Sequence, residues 1–472
     1  MKNKIHFYTL SSFIITFVSV FVLAPKCKFL TETDKSKWPP PQILYRDVTG
    51  WSALCKNNKV YFLATEGSEV TGNILLFFIY DLKEGRWYGP EKVGEKIKNE
   101  VLLHDKELLK KYEPYEPYFF ISFPHFDVDE EGKVHIFAEG EYGIKKWDNE
   151  VRVRSYLIYF MRETDGRWEE KVFDFFPPYE FPIYPLESTG IKHPLVSIGW
   201  VSASGKNIAT RYSFLYRWEA PGYRKDYPLE LLFVPERQSI FAVKNEEEGW
   251  DLYDLTELLP EAKKIGVDAF QLDLGVIGPD GDLYIVLWQG PNTDRKGMEV
   301  KSLLLKIDTK EKRLKWIRRM KELEMENVDI YNEPLGGVLN NNVMKLKGSK
   351  FYYANIWKGK IYLHSWELVG DDVGNIIWEF VSNVAWFINL SMDVKKNVYL
   401  LNALNIHRKE GNRWIMEDVL DEETQTKYKI GTIHWQTMCV DDEGYAWVFF
   451  EGEDESQPYF VTNIYYVRKK VE

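Results

Sequence analysis

Three glutamate–glycine pairs, Glu66-Gly67, Glu139-Gly140 and Glu451-Gly452, recur at matching places in the chain, and further acids (Glu69, Glu141, Glu453, Asp454 and Glu455) stand beside them. Clustered carboxylates offer the hard oxygen ligands that Ca²⁺ takes, so Glu66, Glu139 and Glu451 are the candidate metal ligands. No EF-hand spacing accompanies them, and the competing explanation is a turn device, because glycine is the usual residue where a strand exits with positive φ. A basic counterpart, Arg211, Arg217, Arg224, Lys225, Arg295 and Lys296, lies in the middle of the chain. A second set is polar and aromatic: Trp51, His125, Asp273, Asn342, Asn389 and Gln436, with His193 and His434 slightly earlier in their segments. Such groups can hold a sugar or a small polar ligand through fixed donors and acceptors. They can equally cap strands and bind channel water.

Other chemistries are not written in the chain. It contains no HExxH, no GxSxG, no glycine-rich phosphate loop and no CxxCH. A lyase-like set could be assembled from His125, His193, Tyr142 and Arg211, but 472 residues allow many such sets. No cofactor beyond Ca²⁺ is suggested, and no residue is assigned as catalytic. Cys27, Cys55 and Cys439 are too few for a disulfide scaffold.

The elements that must position these residues follow from repetition. One unit is a short strand, a tight turn and an aromatic-rich strand, seen in Phe126 to Phe137 (FDVDEEGKVHIF) and Met438 to Phe449 (MCVDDEGYAWVF). Its turn recurs around Asn58, Gly205, Gly281, Ser349 and Lys396, making seven copies. A second unit turns through a charged residue and glycine into tryptophan, at Trp87, Trp168, Trp250 and Trp414, with degenerate copies at Trp316 and Trp378. The first unit supplies two strands of a blade and the second supplies two more, which predicts an all-β, seven-bladed β-propeller. The tryptophans should be buried between blades, where a large ring plugs the gap.

The last copy stops at Asn463 to Glu472, one strand short, so Ile43 to Val48 is expected to complete it and close the ring, removing exposed edges. Short helical insertions are expected at Lys96 to Tyr112 and Leu255 to Lys264. On this alignment Cys55 and Cys439 fall on inner strands of adjacent blades. An exported chain could oxidise them, although neighbouring strands are often beyond the ~7 Å Cα limit for a bridge.

Lys2 and Lys4 precede an apolar run from Phe7 to Leu23, which reads as an export signal or an N-terminal membrane anchor, residues 1–28. Residues 29–41 form a linker ending in Pro39-Pro40-Pro41, and 42–472 form the propeller. Aromatic residues at 16% suit half-buried strands. A net charge of −11 disfavours nucleic acid as a partner.

Asp129 to Ile136 followed by Thr164-Asp165-Gly166-Arg167-Trp168, with Gly85 and Trp87 and with Gly411 and Trp414, resembles the BNR-repeat, sialidase-like propeller proteins. That family carries an Asp-box, S-x-D-x-G-x-T-W, between the third and fourth strands of a blade. Each copy here lacks the leading serine, and the early Arg-Ile-Pro motif has no counterpart. The resemblance therefore implies the architecture and not the arginine-triad chemistry. The expected function is that of an extracytoplasmic module, secreted or anchored by the N-terminal helix, which binds a glycan or a cell-surface protein and touches the membrane through that segment alone. The alternative is a glycan-active enzyme, a sialidase-like hydrolase or a polysaccharide lyase, working in the central funnel.

Overall fold

The computed structural model describes residues 38–68, 72–104, 116–146, 149–172, 191–219, 238–245, 249–254, 270–278, 280–289, 301–319, 344–357, 360–370, 372–375, 377–383, 388–457 and 461–471. The apolar N-terminal segment, the expected helix at Leu255 to Lys264 and Asn342 lie outside them. Among the described residues no helix is long and apolar enough to cross a membrane.

The chain is an all-β propeller with few helices. Among the described residues the strands form seven antiparallel sheets, numbered here in chain order. Their inner strands are Val48–Lys56, Glu116–Val128, Ile191–Ser204, Phe270–Ile277, Met344–Lys347, Ile388–Met392 and Ile430–Val440. Each is followed outward by the next strands of its sheet in a simple meander. Every inner strand packs against the inner strand of the next sheet, and that of sheet seven packs back on sheet one.

Packing between sheets explains the unusually apolar strands. In Lys59–Ser68, the second strand of sheet one, the run from Val60 to Ala64 is buried throughout. Successive side chains alternate between two walls: Tyr61 and Leu63 join the cluster shared with sheet two, while Val60, Phe62 and Ala64 join the cluster shared with sheet seven. Tyr445–Asp454 of sheet seven does the same, with Ala446, Val448 and Phe450 toward sheet six and Trp447 and Phe449 toward sheet one. A sheet covered on both faces needs both of its side-chain sets to be apolar.

The turn tryptophans are half-buried rather than fully buried. Their rings nevertheless reach the preceding sheet: Trp87 lies edge-on to Trp447 at 6.1 Å, Trp168 to Phe77 at 5.5 Å and Trp250 to Phe137 at 5.5 Å. Trp168 also donates Nε1–H to Glu91 Oε2 at 2.7 Å, and Arg162 makes a two-pronged ion pair with the same carboxylate. The partial burial does not serve every indole N–H, since those of Trp87 and Trp414 are buried without a hydrogen-bond partner among the described residues.

The first repeat unit has a clear physical basis. An aspartate begins the turn, accepts the amide four residues on, and reaches the side chain six residues on. Asp129 binds Lys133 N and His135, Asp393 binds Asn397 N and Tyr399, and Asp441 binds Tyr445 N and Trp447. The third turn residue takes positive φ, at Gly132, Gly444 and, without glycine's freedom, Lys396 (φ 68°).

Gln42–Arg46 is the outer strand of sheet seven, paired with Thr462–Lys470. The expected span Ile43 to Val48 is corrected at its end: Asp47 turns the chain (φ 53°), and Val48 starts the inner strand of sheet one. Cys55 and Cys439 are joined in a disulfide with Cα atoms 5.5 Å apart, inside the bridging range. Helix α1, Glu95–His104, occupies the first part of the Lys96 to Tyr112 insertion. Glu170 of sheet two accepts Gly94 N and Ile97 N at its start. Helix α2, Glu422–Tyr428, was not expected and is capped by Asp421, which accepts Thr424 N at 2.7 Å.

Two outcomes follow. Asp441→Ala should lower unfolding free energy by about 2–4 kcal/mol, because it strands two amides and the buried Trp447 Nε1–H, whereas Asp442→Ala next to it should change urea denaturation by less than about 0.5 kcal/mol. Cys55→Ser with Cys439→Ser should cost about 2–5 kcal/mol, and a reductant should lower the denaturation midpoint of the wild type but not of the double variant.

Candidate functional site at the centre of the ring

The inner strands converge on the axis and carry the described members of the polar set picked out above. Several of these strands contain a bulge: between Gly50 and Ser52, between Ser122 and His125, between Ile198 and Trp200, and between Ile433 and Trp435. A bulge frees backbone groups from the ladder, and side chains of the preceding sheet answer them. Glu451 accepts Gly50 N at 3.4 Å, and Glu139 accepts Ile198 N at 3.1 Å. Asn73 brackets Ile121, donating to its carbonyl at 2.7 Å and accepting its amide.

The three candidate metal ligands therefore act singly. Glu66 pairs instead with Lys92 at 2.8 Å on the outer part of its own sheet. Among the described residues no three His, Cys, Asp or Glu side chains gather in a way that could hold a metal ion. Burial pushes the Glu451 carboxyl above its ordinary range, opposed by the Gly50 amide.

The polar ring is placed as follows. Trp51 is half-buried, donates Nε1–H to Thr65 Oγ1 at 3.0 Å and lies edge-on to Phe123. His125 stands opposite Phe137 in the ladder, and burial pushes its imidazole down to about 4, opposed by a backbone hydrogen bond with Ile198. Asn389 is buried and donates Nδ2–H to Thr437 Oγ1 at 2.8 Å. Gln436 is buried and accepts Leu404 N at 2.6 Å. His434 is exposed and bonds Glu453 at 3.0 Å. His193 and Asp273 sit in their inner strands opposite Arg217 and Leu287. Asn389, Thr437, Gln436 and Leu404 thus form a polar seam between sheets six and seven.

Farther along the axis, a second set of contacts links each sheet to the next. Asp127 accepts Ala203 N at 2.8 Å, Ser202 accepts Ile277 N at 3.0 Å, and Ser391 accepts Val440 N at 2.9 Å. In ladder position Cys439 matches Asp127 and Ser391, and Cys55 matches Val440, so the disulfide stands at the closing seam where other seams carry a side-chain-to-amide hydrogen bond. Beside it lies an axial cavity of about 120 Å³, lined by residues that include Leu54, Cys55, Lys345, Lys347, Ser391 and Cys439. Burial holds both lysines below the ordinary lysine range. Sequence reasoning missed these lysines, since a four-residue strand, MKLK, carries no motif. Their i, i+2 spacing, which puts both on one face, was the available signal.

No known family profile and no curated protein matches the chain. Solved structures align with it distantly. A Mycobacterium tuberculosis puromycin-hydrolyzing peptidase aligns over 88% of this chain with 10% identity and a TM-score of 0.39, and this chain spans about half (52%) of that protein. The phage phi92 endosialidase aligns over 94% of this chain and 69% of its own, with 11% identity and a TM-score of 0.40. The polysaccharide lyase Uly1 aligns over 93% and 94%, with 8% identity and a TM-score of 0.33. Likenesses this distant carry no activity across.

His364 and His407 are buried at 4% and 2% exposure, and burial pushes both down to about 4. In the unfolded chain they titrate near 6.5. Above pH 6.5 both states are neutral and nothing is lost; as pH falls from about 6.5 toward 4 the unfolded state takes up protons first and stability drops, by up to about 3 kcal/mol per histidine. Urea midpoints at pH 7.5 and pH 5 should show this loss, and it should shrink in His407→Leu.

Proposed function

We propose that the chain is an exported, membrane-tethered, seven-bladed propeller that serves as a binding module for carbohydrate or protein at the cell surface. The observation that carries this reading is how the funnel groups are engaged. Gln436, Asn389, Glu139 and Glu451 bond neighbouring strands, and the axial cavity of about 120 Å³ is smaller than the roughly 300–1,000 Å³ of a ligand pocket. Glycan hydrolysis calls for a pair of carboxyl groups flanking the scissile bond, whereas a binder needs only its loops and rims. Export is supported by the Cys55–Cys439 disulfide, which suits an oxidising compartment, together with the basic-then-apolar start of the chain.

The full chain in detergent should bind on a glycan array or to a cell-surface protein while releasing no reducing ends or unsaturated uronates from a polysaccharide panel. Release that tracks protein concentration would favour the glycan-active enzyme. Protein isolated without reductant should leave Cys55 and Cys439 unmodified by a thiol reagent after denaturation. Their modification would place the folded chain in a reducing compartment.

A further inference from the structure

We infer that Trp51 and Phe123, with His434 beside them, form an aromatic platform on the inner strands that takes the C–H face of a neutral pyranose ring. The inference rests on the binding-module reading and decides within it for carbohydrate.

Strand register places these residues. Trp51 has no ladder partner between the pairs Gly50–Ala64 and Ser52–Leu63, and His434 has none between Ile433–Gly452 and Trp435–Glu451. Phe123 falls in the bulge between Ser122–Glu139 and His125–Phe137, and Gly199 in the bulge between Ile198–Tyr212 and Trp200–Arg211. Each therefore belongs to a bulge, the device by which a strand re-aims a side chain. Trp51, Phe123 and Gly199 stand five residues before the ends of their strands and His434 stands six before, so the four bulges lie at nearly one level along the axis. At that level sheets seven, one and two offer histidine, tryptophan and phenylalanine in turn, and sheet three offers a glycine that adds no side chain.

The rings are fixed and only partly covered. Trp51 and Phe123 are half-buried, and the His434 side chain is 37% exposed. The Trp51 Nε1–H is spent on Thr65 Oγ1, which holds the indole in one orientation. Phe123 lies edge-on to it, with centroids 5.7 Å apart and planes at 66°. Phe123 also holds a φ of 46°, costly for a bulky residue and easy for glycine. Strain of this kind clusters at ligand sites, and a ring kept there at that cost, half in solvent, is accounted for by a ligand contact.

Charge selects the class of sugar. Aromatic faces are electron-rich, and Glu139 and Glu451 stand at the same level, opposite Ser122 and Trp435. That setting repels a carboxylated sugar. The polarised C–H groups of a neutral pyranose suit the ring faces, and its hydroxyls suit the carboxylates and imidazole at the edge of the platform.

The test is isothermal titration calorimetry of the full chain in detergent with cellohexaose, mannohexaose, chitohexaose and, as the acidic counterpart, hexagalacturonate. At least one neutral hexasaccharide should bind, and hexagalacturonate should bind about tenfold more weakly or not at all. Trp51→Ala and Phe123→Gly should each weaken binding about tenfold or more, whereas Tyr88→Ala, which removes an exposed ring from the outer strand of sheet one, should leave it unchanged. Phe123→Gly guards against misfolding: glycine adopts this φ without strain, so near-UV circular dichroism should stay native while affinity falls. No binding of any neutral hexasaccharide, equal or tighter binding of hexagalacturonate, or full affinity in Phe123→Gly would overturn the proposal. Wild-type binding on a glycan array or to a cell-surface protein that survives in Phe123→Gly would overturn this site and leave the binding-module reading standing. Absence of any glycan or cell-surface protein binding by wild type would defeat the reading itself.

Discussion

A sheet that is apolar on both faces must be covered on both faces, and in this chain the covering is always another sheet. Tyr61 and Phe62, adjacent in sequence, enter the walls toward sheets two and seven respectively. An open row of such sheets would leave an apolar face bare at each end. Closing the row on itself removes both, and the rest of the structure serves that closure. The first and last segments share a sheet through the pairing of Gln42–Arg46 with Thr462–Lys470. At the same seam Phe62 stacks on Phe449 at 4.7 Å, Trp87 packs among Trp447, Phe449 and Tyr466, and Cys55 bonds Cys439.

Seams elsewhere are held by smaller devices of one kind, a side chain on one sheet accepting an amide of the next. Asp127, Ser202 and Ser391 do so deep along the inner strands and Glu139 does so at a bulge, as Glu451 does at the closing seam itself. An amide freed by a bulge and shielded from water needs an acceptor. A glutamate or serine in the adjacent sheet supplies one at the distance that sheet packing imposes. The covalent version stands where the chain ends meet, the seam also closed by the pairing of Gln42–Arg46 with Thr462–Lys470. A bond there limits the unfolded ensemble across a sequence separation of 384 residues.

The same convergence shapes the axis. Inner strands crowd there, so close approaches demand small residues: a Cβ on Gly275 would meet Trp200 at 2.1 Å, and one on Gly50 would meet Trp435 at 2.5 Å. Of the polar groups that looked like ligand contacts, Asn389 and Gln436 join these crowded strands. Among the described residues, a small space along the axis has two lysines on its wall.

The propeller class, the positions of the turns and the need for a closing strand were legible in the sequence, because they rest on local patterns. An aspartate that binds an amide four residues on and a side chain six residues on writes itself into the chain as a repeat, as at Asp129, Asp393 and Asp441. Only the tertiary structure decided the partners of Glu66, Glu139 and Glu451, which share a Glu-Gly signature yet go to Lys92, Ile198 and Gly50. It also decided that Cys55 and Cys439 lie within bonding range and that Lys345 and Lys347 border the same small space. Those outcomes depend on the spacing and rotation between sheets. These are set by the combined packing of many side chains from different parts of the chain, and no local pattern records them.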